Sequence, residues 1–172
     1  MPLETLIFET SHCRVSKIVE SGKVIAISIQ EEGGESLDGL GDGFDWSDLI
    51  GDIEWGIVTP FRRAVFEALI DNVPRGGLIT YGELASAAGS PGSSRAVGSA
   101  LSSNPWPLVV PCHRVVRSNG HIGPYSAGSG ISTKRSLLIS EGLEIDAKFR
   151  FDQKNLMKIA REAREATIQT KM

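Results

Sequence analysis

The sequence is poor in the residues that build metal sites and disulfide frameworks. It has only two cysteines, Cys13 and Cys112, and three histidines in 172 residues. No C-x-x-C pair occurs, and the histidines lack zinc-finger spacing, so we expect no bound metal; a zinc site built on Cys13 and nearby histidines is the minor alternative. A disulfide between the two cysteines is not expected in a soluble chain of this kind.

Long apolar runs and targeting signals are also missing. No stretch approaches the roughly 20 apolar residues of a membrane span. The first residues lack the basic start, the apolar run and the cleavage site of a secretory signal. We therefore expect an intracellular protein, cytoplasmic or, in a eukaryote, nuclear, with no membrane partner. The apolar fraction of 41% and the charged fraction of 23% are typical of a soluble globular protein.

The net charge of −3 conceals an uneven distribution along the chain. Residues 1–59 carry −9, residues 60–142 carry +4 and residues 143–172 carry +2. A contact with nucleic acid would therefore belong to the basic part that follows residue 59. The charge distribution alone favours a nucleic-acid contact no more than an ordinary scatter of solvated surface charges.

The N-terminal part of the sequence predicts β-structure followed by an acidic linker. Ile25, Ile27 and Ile29 alternate with smaller residues and predict one buried strand face, with a turn at residues 20–23 before it. Residues 31–54 contain nine acidic residues, no basic residue and many glycines. That composition predicts a loosely packed linker.

The central part of the sequence predicts a series of short helices. Residues 59–60 (Thr-Pro) are typical of a helix start, and Thr80 with Glu83 forms a capping-box pattern before the next helix. Ser93 or Ser94 is expected to cap a third helix. The second and third helices are separated by a glycine-containing turn, which predicts a helix-turn-helix.

The third predicted helix is rich in small residues, among them Ala96, Gly98 and Ser99. Small side chains allow the helix backbone to approach another surface closely. Taken alone, they favour packing against a neighbouring helix over a contact with a ligand or a partner.

Cys112 lies between an apolar run and two basic residues. Residues 108–111 (Leu-Val-Val-Pro) predict a buried strand or extended segment, and such a setting is typical of an inert core cysteine. His113 and Arg114 put a base and a permanent cation within two residues of the sulfur, and a nearby cation lowers the pKa of a thiol. The local sequence leaves an inert cysteine and a reactive thiol equally open.

The run PCHRV (residues 111–115) resembles the active-site signature of the O6-alkylguanine–DNA alkyltransferases. Five blocks agree with the family and lie in its order. They are ITYGELA (79–85), SRAVGSAL (94–101), SNPWPLVVPCHRVV (103–116), GPYSAG (123–128) and KRSLLISEG (134–142). The resemblance covers residues 58–143, about half of the chain, and five ordered blocks are far more specific than PCHRV alone.

The resemblance implies a catalytic role for each residue that matches the family pattern. Cys112 resembles the alkyl acceptor, His113 the base that deprotonates it through a water, and Glu141 the carboxylate that orients the histidine. Asn104 resembles the hinge residue that braces the turn between the recognition helix and the active-site segment. The residues expected to form the substrate pocket are Val109, Val110, Pro111, Tyr125 and Ser126.

The resemblance also implies a DNA-binding surface. Arg95 resembles the finger that fills the space left by the target base, and Tyr81 the residue that pushes the adjoining phosphate as the nucleotide rotates. A base inside a duplex cannot present its O6 substituent to a buried sulfur, so base flipping is required. Ala96, Gly98 and Ser99 would then allow close approach to the minor groove.

The implied function is DNA repair by direct, irreversible transfer of a methyl or other alkyl group to Cys112. The donor is O6-alkylguanine in double-stranded DNA, with O4-alkylthymine as a further candidate. The resemblance implies a single-turnover methyltransferase that works as a monomer without a cofactor. The first alternative is a non-catalytic damaged-DNA-binding protein, a class whose members replace the acceptor cysteine. The others are an alkylation-sensing helix-turn-helix regulator and, more remotely, a cysteine hydrolase.

The implied fold is α+β, with a small RNase H-like N-terminal domain and a mainly helical C-terminal domain that contains the helix-turn-helix and an active-site loop. Residues 1–57 would hold the β-rich domain and the acidic linker, residues 58–143 the catalytic domain, and residues 144–172 a helical extension. Residues 1–57 match no family block, so their fold is carried by analogy. Pro124 departs from the asparagine or glycine that is common in the family.

Overall fold

The computed structural model describes residues 1–31, 44–154 and Leu156, and it combines a small antiparallel sheet with short helices. Within this described part, no helix has the length and apolar character needed to cross a membrane. The elements are β1 (Leu3–Glu9), β2 (Cys13–Glu20), β3 (Lys23–Glu31), α1 (Pro60–Asn72), β4 (Ile79–Thr80), α2 (Tyr81–Ala87), α3 (Ser94–Ser102), β5 (Val115–Val116) and α4 (Ile131–Ser140), with 3-10 helices at Trp46–Asp52, Trp55–Ile57 and Cys112–Arg114.

The N-terminal strands form an antiparallel sheet in the order β1-β2-β3. The predicted turn at residues 20–23 connects β2 to β3. Ile27 is buried as expected, but Ile25 and Ile29 are only half-buried, and Val24 takes an inward position instead. A bulge in the β2–β3 register leaves Ile25 without an opposite residue, and the extra residue shifts the alternation of the strand faces.

The linker prediction for residues 31–54 is wrong for much of the part that the structure describes. A 3-10 helix spans Trp46–Asp52, and its Leu49 is buried in the core together with Ile53, which follows it. Two apolar side chains in the core hold this segment in place although residues 44–54 include four acidic residues and no basic one. Residues 32–43 lie outside the described residues.

The predicted caps of α1 and α2 are confirmed. The Thr59 hydroxyl caps α1 by accepting the Arg62 amide at 3.3 Å. The capping box of α2 is complete, since Thr80 and Glu83 each accept a backbone amide of the other. Ser93 occupies the expected capping position of α3, but its side chain makes no capping hydrogen bond.

One hydrophobic core joins the sheet to the helices. Trp106 is fully buried at its centre, and the indole N–H donates to the Val24 carbonyl at 2.9 Å. A second bond crosses between the same parts, since the Ile27 amide donates to the Pro105 carbonyl at 2.8 Å. The predicted domain boundary at residues 57–58 stays a prediction, because the elements on both sides of it contribute to this core.

Residues 108–111 form a tight turn rather than the predicted buried strand or extended segment. The Val110 amide donates to the Trp106 carbonyl at 2.9 Å, and Leu108 adopts a left-handed conformation with φ of 76°. The prolines that flank the turn lack the N–H that a strand ladder requires. The chain then enters the 3-10 helix Cys112–Arg114.

A short parallel pairing brings two distant segments together. Strand β4 pairs with β5 in the register Ile79↔Val115 and Thr80↔Val116. Because β4 leads directly into α2 and β5 directly follows the 3-10 helix with Cys112, this pairing places the first residue of α2, Tyr81, near the cysteine. A smaller apolar cluster packs around Val116 of β5 and Leu78, which precedes β4. Its members are Leu78, Val116, Ile122, Leu138, Ile145, Phe151 and Leu156.

The tail predicted as a helical extension, residues 144–172, is described only as far as residue 154 and at Leu156. Ile145, Phe151 and Leu156 are buried in the smaller cluster. The rest of the predicted extension lies outside the described residues.

Candidate active site

Cys112 is the first residue of its 3-10 helix and is only 6% exposed. The Asn104 amide group donates to the Cys112 sulfur at 3.2 Å and to the Val110 carbonyl at 3.1 Å, and it accepts the Trp106 amide at 2.9 Å. Asn104 thus ties the end of α3 to the segment that carries the cysteine. Burial raises the pKa of the Cys112 thiol, while the Asn104 bond and the nearby Lys134 charge oppose that increase.

The two residues that follow Cys112 in the chain, His113 and Arg114, both bond to the Glu141 carboxylate. His113 Nε2 and Glu141 Oε1 are 2.7 Å apart. Arg114 also donates to both oxygens of Glu141, at 2.9 Å from Nη2 and 3.0 Å from Nε, and to the Val73 carbonyl at 2.9 Å. Burial alone would raise the pKa of the Glu141 carboxyl, but the bonds from His113 and Arg114 outweigh it and hold that pKa at about 2. Glu141 is therefore ionised at neutral pH.

His113 has one nitrogen engaged and one free to accept a proton. Burial lowers its pKa, so the imidazole is neutral at neutral pH. Since ionised Glu141 can only accept, Nε2 carries the hydrogen and Nδ1 carries the lone pair. Nδ1 is buried and has no hydrogen-bond partner among the described residues. The carboxylate therefore holds the imidazole in one tautomer, in which Nδ1 can accept a proton.

A cavity of about 130 Å³ opens onto the Cys112 sulfur. Two of the five predicted pocket residues, Tyr125 and Ser126, line this cavity together with Tyr81. The remaining lining residues come from α3 and the 124–126 loop: Gly98, Leu101, Ser102 and Pro124. Leu101 and Ser102 were not predicted, because a leucine and a serine near a helix end give no signal of a pocket.

The structure does not place the other three expected pocket side chains in this cavity. Val109 and Pro111 line a separate groove of about 610 Å³, together with Arg114. Val110 is fully buried and contributes only its carbonyl, which accepts from Asn104. The expectation for these three residues came from the resemblance to the family, and their place in the substrate pocket stays a prediction.

Two buried polar side chains complete the surroundings of the sulfur. The Tyr125 hydroxyl is buried without a hydrogen-bond partner among the described residues, and burial next to Cys112 raises the pKa of the phenol. Lys134 is 0% exposed, and its ammonium donates to the Val115 carbonyl at 2.6 Å and the Pro124 carbonyl at 3.2 Å. Burial lowers the pKa of Lys134 to about 7. Sequence reasoning missed Lys134, because a lysine on a helix is normally a solvated charge.

The second cysteine provides a contrast. Both cysteines are free, and Cys13 is buried in the sheet. Burial raises the pKa of the Cys13 thiol to about 11, so it stays protonated and unreactive. No cluster of three or more possible metal ligands (His, Cys, Asp or Glu) occurs within residues 1–31, 44–154 and 156.

Helix α3 presents a polar, small-residue face to solvent. Arg95, Ala96 and Ser99 are exposed and Gly98 is half-buried. The opposite face packs into the core through Val97, Ala100 and Leu101. Packing against a neighbouring helix therefore does not account for Ala96 and Ser99. Tyr81 stands beside this face and is half-buried, with burial raising the pKa of its phenol.

Comparison with known proteins identifies the same region. The family described as 6-O-methylguanine DNA methyltransferase, DNA binding domain, matches residues 60–143. A methylated-DNA–protein-cysteine methyltransferase from Thermococcus kodakarensis is 55% identical over 87 residues, which are 51% of this chain and 47% of the relative. The chain thus spans about half of the length of the curated relatives it matches.

Solved structures extend the match to most of the chain. The O6-methylguanine-DNA methyltransferase from Pyrococcus kodakaraensis is 34% identical with a TM-score of 0.67, covering 83% of this chain and 100% of that one. An OGT from Mycobacterium tuberculosis, solved in complex with DNA, is 28% identical with a TM-score of 0.57, covering 79% and 90% of the two chains. On these matches, this chain belongs to the O6-methylguanine-DNA methyltransferase family.

Proposed function

We propose that this protein repairs double-stranded DNA by moving the alkyl group of O6-alkylguanine onto Cys112, once per molecule. One observation carries the proposal. Cys112 lines a cavity, and the next residue in the chain is a neutral histidine that a buried carboxylate holds in one tautomer. The names of the relatives, methylated-DNA–protein-cysteine methyltransferases, agree with it.

The transfer begins with removal of the thiol proton. The lone pair on His113 Nδ1 accepts the Cys112 proton through a bridging water, and Glu141 stabilises the imidazolium that forms. The hydrogen bond from Asn104 and the positive charge of Lys134 stabilise the thiolate. Both contributions oppose the burial that otherwise keeps the thiol protonated.

The thiolate then attacks the alkyl carbon. A sulfur–carbon bond forms, the carbon–O6 bond breaks, and its electron pair stays on the guanine. The guanine takes up one proton to become neutral, which balances the proton lost from Cys112. The product is a thioether that has no thiolate left to react, so each molecule acts once without a cofactor.

DNA binding is assigned to α2 and α3 as a helix-turn-helix. The exposed small residues Ala96 and Ser99, with half-buried Gly98, would let α3 approach the minor groove closely. Arg95 at the start of α3 is the finger that replaces the flipped base, and Tyr81 pushes the adjoining phosphate. Both side chains line a groove that lies beside the cavity.

The remaining parts of the proposal concern the N-terminal sheet and the range of substrates. The antiparallel order β1-β2-β3 supports an RNase H-like N-terminal domain. Pro124 lies at the cavity with its carbonyl bound by Lys134 and has no amide to offer the substrate. Ser126 in the same loop is then the side chain that binds O6. O4-alkylthymine is a second candidate substrate.

Intact mass after mixing with DNA tests the function. With an O6-methylguanine duplex, we expect the wild-type protein to gain one methyl group and the Cys112→Ala variant to gain none. Cys13→Ala is the matched control and should still gain the methyl group, because the Cys13 thiol is buried in the sheet. Tight DNA binding by a wild-type protein whose mass does not change would overturn the enzymatic proposal in favour of a damaged-DNA-binding or sensing protein.

A further inference from the structure

Arg117 stands between two open grooves that flank Tyr81. One groove, of about 530 Å³, runs along the exposed face of α3 and also contains Arg95. The other, of about 420 Å³, lies between the start of α2 and residues 117–119. Arginines are the charged residues of both grooves, and no described aspartate or glutamate lines either of them. This surface is therefore suited to a polyanion.

The guanidinium of Arg117 is exposed and has no hydrogen-bond or ion-pair partner in the described part of the chain. Arg95 shares this property. The other described arginines donate to a carboxylate or to a backbone carbonyl: Arg14, Arg62, Arg63, Arg75, Arg114, Arg135 and Arg150. The two unpaired arginines thus line the same groove, and no described residue of that groove accepts a hydrogen bond from either guanidinium.

The backbone around Arg117 places the stem of its side chain in the same neighbourhood as the Tyr81 hydroxyl. The Arg117 amide donates to the His121 carbonyl at 3.0 Å, which closes a turn directly after β5. The chain returns to Gly123, which is buried with φ of 79°; a Cβ there would lie 3.4 Å from the Tyr81 hydroxyl oxygen and 3.5 Å from Arg117 Cγ. The Tyr81 hydroxyl and the stem of Arg117 thus both lie close to Gly123, where the positive φ favours glycine.

Resting on the proposed function, we infer that Arg117 and the Tyr81 hydroxyl together bind one phosphate of the DNA strand that carries the alkylated base. Arginine matches a phosphate with two parallel N–H donors, and the phenol adds a third donor. The position beside the cavity mouth puts this phosphate next to the nucleotide that enters the cavity. Arg117 is then a positioning residue that holds the rotated backbone in place.

Salt dependence of DNA binding tests the inference independently of alkyl transfer. Each neutralised phosphate contributes about 0.9 to the slope of log K against log salt on duplex DNA. In the Cys112→Ala protein, which binds without reacting, Arg117→Gln should make the slope shallower by about 0.9. The matched control is Arg63→Gln, which removes the same charge from the Glu67-paired arginine of α1 and should leave the slope unchanged.

Transfer kinetics supply the second readout. In the otherwise wild-type protein, Arg117→Gln should slow methyl transfer from the duplex at least about tenfold more than transfer from the free O6-methylguanine base, equivalent to about 1.4 kcal/mol. Arg117→Lys should restore most of the salt slope, because it keeps the charge. An unchanged slope in Arg117→Gln, or equal slowing with duplex and free base, would overturn the inference. A wild-type protein that binds DNA without gaining a methyl group contradicts the proposed function, and the slope measurement then still decides the role of Arg117.

Discussion

Charge is unevenly distributed among the buried groups around Cys112. Glu141 is ionised because Arg114 donates to both of its oxygens. His113 is neutral because burial outweighs its bond to that carboxylate. Lys134, with a pKa of about 7, is divided between its two protonation states at neutral pH. A proton can therefore leave Cys112 for a neutral base, while a partly charged lysine favours the thiolate that remains.

The low pKa of Lys134 predicts a pH-dependent stability. In the unfolded chain a lysine has a pKa of about 10.4, whereas in the folded protein that of Lys134 is about 7. Between these values the unfolded state binds more protons, so this residue makes the free energy of unfolding rise from about pH 7 to about pH 10, with no slope below pH 7. Lys134→Met should remove this rise.

Urea unfolding of both proteins in steps from about pH 6 to pH 10 measures the difference in slope. The free energy of the wild type relative to Lys134→Met should increase with pH across this window. Curves that run parallel throughout would show that Lys134 is not held at a low pKa.

At the scale of the elements, α2 and α3 differ in how they begin. The first turn of α2 has a complete capping box, with Thr80 accepting the Glu83 amide at 3.2 Å and Glu83 accepting the Thr80 amide at 3.2 Å. Ser93 precedes α3 without a side-chain bond to the helix. The start of α2 also positions Tyr81, so its cap supports both the helix and a residue of the candidate site.

We expect Thr80→Ala to lower the free energy of unfolding by about 1 kcal/mol, because the hydroxyl satisfies an amide that is otherwise unpaired. Ser93→Ala is the matched comparison and should change it by no more than a few tenths of that, since no capping bond is lost. Urea denaturation of the two variants measures this. Equal losses in both would contradict the assignment of a capping box to α2 alone.

At the scale of the whole molecule, the sheet and the helices share one core. Trp106 contacts both parts, since its ring packs edge-on against Phe66 of α1 and against Trp55, while its N–H donates to Val24 of β3. A shared core predicts that the two parts unfold together. Far-UV circular dichroism and tryptophan fluorescence should therefore give coincident urea transitions.

Removing the indole N–H tests the link between the two parts. Trp106→Phe removes one of two donors to the Val24 carbonyl, which still accepts the Glu54 amide at 3.0 Å. We therefore expect a loss of about 0.5–1.5 kcal/mol from the hydrogen bond, with a further contribution from the smaller ring. Trp46→Phe is the control and should cost less, because Trp46 is only half-buried in its 3-10 helix. Transitions that separate in the wild type would show that the sheet unfolds independently.

Local patterns in the sequence predicted local features well. The starts of α1 and α2 depend on side chains within a few residues of the amides they cap, and both are confirmed. The acidic segment at residues 46–52 and the apolar run at residues 108–111 were predicted wrongly, as a linker and a strand. In both, distant packing partners or flanking prolines outweighed the composition of the segment.

The sequence by itself determined the order of the family blocks, and through them it predicted the nucleophile and the residue types of the base and its carboxylate. Only the tertiary structure decided that Glu141, 28 residues from His113, accepts a hydrogen bond from Nε2 and so leaves the lone pair on Nδ1. The pairing of β4 with β5 likewise decided that Tyr81 and Cys112 share one cavity. The physical reason is that burial and long-range hydrogen bonds set protonation and pocket shape, and both arise only when distant segments pack together.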